Sequence, residues 1–127
     1  MTNRAVISTP DAPEAIGPYS QAIKVGNTVW LSGQIPLVPG SMELVTGDIG
    51  DQARQVFTNL AAVAEAAGGS LNHAVKINIS LTDLDHFAAV NEVMASFLQE
   101  PYPARACVQV AALPKGVDIE VEAILAI

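Results

Sequence analysis

The stretch DQARQVFTNLAAVAEAAGGSLNHAVKINISLT, Asp51 to Thr82, changes its hydrophobic period part-way and so decides the fold class. In its first half Ala53, Val56, Phe57, Leu60 and Val63 fall at the three- and four-residue spacing of one helix face. Asp48 or Asp51 can cap the start of that helix, and Gly68 can close its end. From His73 to Thr82 the period becomes two, with Val75, Ile77, Ile79 and Leu81 apolar and Lys76, Asn78 and Ser80 polar. That alternation predicts a strand with one buried face.

Working outward, a second helix follows the strand. Phe87, Val90, Met94 and Phe97 form its buried stripe, Asp83 or Asp85 can cap it, and Pro101 and Pro103 prevent its continuation. The last quarter predicts two strands joined by Leu113-Pro114-Lys115-Gly116. In Ala104 to Ala112 the apolar positions are Ala106, Val108 and Val110, while Arg105, Cys107 and Gln109 share the other face. In Val117 to Ile127 the apolar positions are Val117, Ile119, Val121, Leu125 and Ile127, opposed by Asp118, Glu120 and Glu122. A hairpin centred on the connecting loop would set Gln109 opposite Glu120 and Cys107 opposite Glu122. Towards the N-terminus, Ala22 to Val25 and Thr28 to Ser32 flank Gly26-Asn27, a two-residue turn suited to a tight hairpin. Strands before, between and after two helices predict an α+β domain spanning residues 1–127, with both helices on one face of a largely antiparallel sheet.

The chain has 127 residues, 13 acidic and 6 basic, for a net charge of -7. Six cations cannot build the basic stripe that neutralises phosphates, which argues against nucleic acid and against anionic membrane surfaces. Half the residues are hydrophobic and only 15% are charged, so disorder is excluded. Soluble domains are typically about one-quarter charged, and this shortfall points to surface covered by self-association. The single cysteine, Cys107, forbids an intrachain disulfide and a cysteine-rich metal site. The opening MTNRAVISTPDAPE lacks the apolar core of a secretory signal, and no stretch approaches the ~20 apolar residues of a membrane span. A cytoplasmic location is expected.

Candidate chemistry gathers in the closing segment. With that hairpin register, Glu120 would be diagonal to Cys107, and Arg105 would lie further along the same face. A guanidinium can hold a carboxylate bidentately, and a neighbouring glutamate can orient water or move a proton. A surface Arg–Glu pair explains the same residues. Cys107 reads equally as a small buried hydrophobe, with no histidine near it in sequence to form a thiolate pair. His73 and His86 lack metal-ligand spacing, and neither GxGxxG nor GxxxxGK occurs. Gly17-Pro18 dictates a turn that delivers Tyr19 to the first hairpin, as a half-buried aromatic or as a pocket wall.

These residues resemble the reactive intermediate deaminase family, also called Rid or YjgF. The likeness runs through AIGPYSQAI (Ala15 to Ile23), SGQIP (Ser32 to Pro36), Gln52 to Asn59, EAAG (Glu65 to Gly68), FAAVN (Phe87 to Asn91) and PARACVQVAALPKGVDIEVEAI (Pro103 to Ile124). Leu37 to Gly50 is the least family-like stretch, and it bears on substrate range more than on reaction type.

The resemblance implies a chorismate-mutase-like fold assembled as a homotrimer, with clefts between neighbouring subunits. It implies hydrolysis of 2-imino acids, the tautomers of enamines such as 2-aminoacrylate and 2-aminocrotonate, to 2-oxo acids and ammonia, without metal, pyridoxal phosphate or other cofactor. By the same resemblance Arg105 holds the substrate carboxylate and Glu120 positions or activates water. Cys107 contributes its backbone amide and packing, Gly33 lets the backbone approach the ligand, Ser32 and Asn91 are polar cleft residues, and Tyr19 is the aromatic wall. A non-catalytic small-ligand sensor or chaperone-like interaction protein on the same fold is the alternative. RNA cleavage, also seen in the family, conflicts with the acidic charge.

Overall fold

The structure is a computed structural model and describes residues 3–127. Eight elements follow in order: β1 Arg4–Ile7, β2 Ala22–Val25, β3 Thr28–Gln34, α1 Ile49–Ala66, β4 Ala74–Leu81, α2 Phe87–Phe97, β5 Ala104–Gln109 and β6 Ile119–Ala126. The strands form one mixed sheet in the order β1-β2-β3-β6-β4-β5. Every pairing is antiparallel except β4 with β5, which is parallel.

Local chemistry explains most of the boundaries. The side chain of Asp48 accepts from the Asp51 backbone N–H and caps α1, a contact worth about 1 kcal/mol. Gly68, at φ 94°, occupies the left-handed region just beyond the helix end. The helical stripe Ala53, Val56, Phe57, Leu60 and Val63 is fully buried against the sheet, and each large side chain in it contributes about 1.5–3 kcal/mol. Both helices cover the same sheet face, and Phe57 meets Phe97 across their interface at 5.7 Å between ring centroids. Gly26, at φ 57°, opens the β2–β3 turn as the Gly-Asn pair predicts.

Four expectations are corrected. The hairpin between β5 and β6 does not form: β4, α2 and β5 make a crossover unit that sets β5 beside β4 at the sheet edge, and β6 inserts between β3 and β4. Ile119, Val121, Ala123 and Leu125 are all buried, as suits a central strand. The faces of β5 are also reversed. Arg105 and Cys107 are in register with the buried Ile77 and Ile79 and look towards the helices. Ala104, Ala106 and Val108 face out, because an edge strand has no second layer outside it. Val75 leaves the apolar face as the extra residue of a bulge, where Ala74 and Lys76 oppose Leu125 and Ile124. Asp83 caps only the turn Leu84–His86, accepting from the Asp85 N–H, and α2 begins after His86 without a side-chain cap.

The face away from the helices carries an apolar row. Val6 is in register with Ile23, Ile23 with Trp30, and Trp30 with Ile124. Val6 is 67% exposed and Trp30 52%. Large apolar groups in a contiguous exposed row signal a contact surface. No helix is long and apolar enough to cross a membrane among the described residues.

Candidate active site

The predicted residues separate into two groups on opposite faces of the sheet. Glu120 lies on the outward face of β6 in register with Ser80. Beside it, β3 gains one residue relative to β6 between Leu31 and Gln34, so Ser32 and Gly33 form a bulge. A bulge re-aims side chains, and this one brings bare backbone against the carboxylate: a Cβ on Gly33 would meet Glu120 Oε2 at 2.6 Å. Tyr19, Ser32, Gly33 and Glu120 line one cleft of about 540 Å³.

Two hydrogen bonds fix the cleft's rim. The Ser32 hydroxyl donates to the Ser20 carbonyl at 2.5 Å, and the Ser32 backbone N–H donates to the Gln21 carbonyl at 3.0 Å. The buried Gln21 amide donates to the Pro13 carbonyl at 2.8 Å and accepts from the Thr9 N–H at 2.7 Å. Tyr19, 52% exposed, is thereby carried on a segment anchored on both sides.

Burial pushes the Glu120 carboxyl above its ordinary range, and the nearby Glu122 carboxylate adds to the rise. Such a group can take and return a proton nearer neutrality than a solvated glutamate can.

The second group stands between β5 and α2. The Arg105 guanidinium donates to Asn91 Oδ1 and lies 4.8 Å from the centre of the Phe87 ring. Both contacts orient the planar cation while leaving it exposed to bind an anion. Cys107 packs at the edge of the core next to it. Burial pushes the Cys107 thiol up, opposed in part by the charge of Arg105. A raised thiol pKa disfavours the thiolate form that a cysteine nucleophile needs.

Among the described residues the one ion pair is Asp51 with Arg54, so Arg105 and Glu120 are not paired with each other. The surface Arg–Glu pair that the sequence allowed is thereby removed. Within one chain Arg105 looks towards the helices and Glu120 away from them. Among the described residues no three His, Cys, Asp or Glu side chains cluster as a metal site would require.

A family model described as Endoribonuclease L-PSP matches residues 9–127. The chain belongs to this family. It is the Rid/YjgF family that the motifs resemble. A 2-iminobutanoate/2-iminopropanoate deaminase of Dermatophagoides farinae is 51% identical over 127 residues, covering 100% of this chain and 99% of that protein. The crystal structure of RidA from the Antarctic bacterium Psychrobacter sp. PAMC 21119 superposes with a TM-score of 0.93 at 60% identity, covering 97% of this chain and 99% of that one. E. coli TdcF with bound serine superposes with a TM-score of 0.92 at 45% identity, covering 97% and 98%.

Several lining residues of this Rid-family cleft escaped the sequence reading: Glu14, Leu37, Lys115 and Glu122. Lys115 had a signal, since it stands between Pro and Gly in a turn, and it adopts φ 58° there. Glu122 shares the strand face of Glu120 by simple alternation. Leu37 carried no signal, because only the path of the following loop brings it to the cleft.

Proposed function

We propose that this chain is a cofactor-independent deaminase that hydrolyses 2-imino acids to 2-oxo acids and ammonia, working as a chorismate-mutase-like homotrimer with its sites between subunits. The observation that carries this reading is the division of the predicted site. A guanidinium oriented for an anion and a carboxyl with a raised proton affinity stand on opposite faces of one sheet. They can serve one ligand only when the Arg105 face of one copy meets the Glu120 cleft of another. The apolar row Val6, Ile23, Trp30 and Ile124, exposed at Val6 and Trp30 and half-buried at Ile23 and Ile124, supports such an assembly. The naming of the mite relative as an iminobutanoate/iminopropanoate deaminase and the serine bound to TdcF support a small ligand of amino-acid type.

The reaction needs few groups. Arg105 binds the carboxylate and fixes C2 of the imine, removing rotational freedom from the encounter. Glu120 accepts a proton from water as its oxygen bonds to C2, and the C=N π pair moves onto nitrogen. The proton then passes to nitrogen, giving a tetrahedral carbinolamine. Glu120 then takes the hydroxyl proton and passes it to the amino nitrogen, so that the C=O bond forms as C–N breaks and ammonia leaves. The peptide N–H groups of the Cys107 and Gly33 segments and the Asn91 amide are available to the polar ends of the ligand, and Tyr19 covers it.

The test couples the purified protein to a pyridoxal-phosphate dehydratase acting on serine or threonine and follows 2-oxo acid formation. Wild type is expected to accelerate the hydrolytic step and Arg105→Ala to lose that acceleration. Equal rates with and without wild type overturn the proposal. Ligand binding without turnover would instead favour the sensor reading.

A further inference from the structure

Asn59 is a buried amide in a helix stripe that is apolar apart from it and Gln52. It is 0% exposed, among Val56, Phe57, Leu60 and Val63. A buried amide is costly unless its donors and acceptor are satisfied, and here the donor reaches the cleft wall while the acceptor is satisfied within the helix. Asn59 Nδ2 donates to the Leu37 carbonyl at 2.9 Å. Gln55 Nε2 donates to Asn59 Oδ1 at 2.9 Å, which sets the amide so that its NH2 points at Leu37. Gln52, seven residues before Asn59 and so on the same helix face, donates to the Gly47 carbonyl at 3.2 Å. The segment from Leu37 to Gly47 is therefore held at both ends by side chains of α1. It is closed further by Met42 N–H to Val38 O and by Val45 N–H to the carbonyl of Pro36, the residue just before Leu37, each 2.8 Å.

We propose that Asn59 and Gln52 are positioning residues that hold Leu37 as a fixed wall of the cleft, so that this clasp limits the size of the imino-acid side chain accepted. The inference rests on the deaminase reading of the same cleft. Leu37 is 5% exposed and lines the cleft shared by Gly33 and Glu120. A wall that cannot retreat discriminates against each added methylene, at about 10- to 200-fold per group in a tight apolar pocket. Small 2-imino acids, with methyl or ethyl side chains, are the class such a wall admits.

The experiment compares kcat/KM for 2-imino acids with methyl and isobutyl side chains, generated by an amino-acid oxidase, in wild type, Asn59→Leu, Gln52→Leu and Leu37→Ala. Hydrogen exchange at the Met42 and Val45 amides is measured alongside. Asn59→Leu and Gln52→Leu are expected to speed exchange at both amides and to reduce the preference for methyl at least about fivefold, with kcat for the methyl substrate little changed. Leu37→Ala is expected to reduce the preference directly. If Asn59→Leu fails to fold, Gln52→Leu, at the less buried end, carries both readouts. Unchanged exchange in a folded clasp variant, or an unchanged preference in Leu37→Ala, overturns the proposal. If wild type hydrolyses neither imine, the deaminase reading and the size limit fall together, while exchange still judges the clasp.

Discussion

Gly33 and the Glu120 carboxyl are packed so closely that one methyl group on Gly33 would stand 2.6 Å from Oε2. The clash falls on the movable end of a side chain, so relief is cheap for the fold and expensive for a carboxyl that must be placed. Gly33→Ala is expected to keep a melting temperature within a few degrees of wild type. It is expected to lower kcat/KM for imine hydrolysis about a hundredfold, the scale of an ångström-sized misplacement. Thermal melting and steady-state kinetics on one preparation check both halves.

Arg105 is held by geometry as well as charge. A lysine keeps the charge but neither spans two carboxylate oxygens nor stacks on Phe87 in the same way. Arg105→Lys is expected to lose about ten- to a hundredfold in kcat/KM, the equivalent of a charged hydrogen bond, and Arg105→Ala to leave no measurable acceleration. Asn91→Ala is expected to lose less, because it frees the guanidinium without removing it. A lysine variant with wild-type kinetics would show that charge alone suffices.

The raised proton affinity of Glu120 carries a pH signature. Its burial and the nearby Glu122 hold the carboxyl above the ordinary glutamate range. The acid limb of kcat/KM is therefore expected above that range and to move down in pH in Glu122→Gln. The same shift affects folding. Stability from the protonated carboxyl is fully present below the unfolded-state pKa and lost as pH rises through the higher folded-state value. Glu120→Gln is accordingly expected to gain stability over wild type between mildly acidic and neutral pH and to show no such gain in strong acid. Urea unfolding at the two extremes tests the sign.

Division of the site between copies predicts complementation. Arg105→Ala and Glu120→Gln are each expected to be inactive alone. After mixed refolding in equal amounts, about a quarter of the interfaces join an intact Arg105 to an intact Glu120 by random assortment. Activity near a quarter of wild type is expected, and none if both residues serve from one chain.

Trp30 stands in the apolar row of the outward face. Trp30→Glu would place a charge in any interface formed there, at a cost of several kcal/mol if buried unpaired. Light scattering is expected to give a monomer, and activity is expected to disappear with the trimer.

The elements with the strongest periodicity were the most legible. The stripe from Ala53 to Val63 and the alternation from Ile119 to Leu125 define α1 and β6 directly, because one side of each faces a continuous core. Adjacency in sequence misled at β5 and β6, since a short loop suits a hairpin but does not forbid a third strand between its arms. That error and the reversed facing of β5 together put Arg105 and Glu120 on one face. The alternation of β5 could not reveal its facing, because alanines and one valine on an edge strand tolerate water. Asn59 was visible as a polar letter in an apolar stripe, yet its partner Leu37 is 22 residues away, beyond any local pattern.

β5 ends the sheet, and its outer edge offers unpaired backbone to any passing strand. Of its six residues, ARACVQ, only Arg105 is charged. The guanidinium therefore also guards solubility, as charges on exposed edges do. Replacing it with alanine leaves an uncharged strand with Val108 exposed, a template for aggregation. A silent Arg105→Ala preparation consequently has two physical causes, lost chemistry and lost monodispersity, and arginine's place at the edge makes one side chain answer for both.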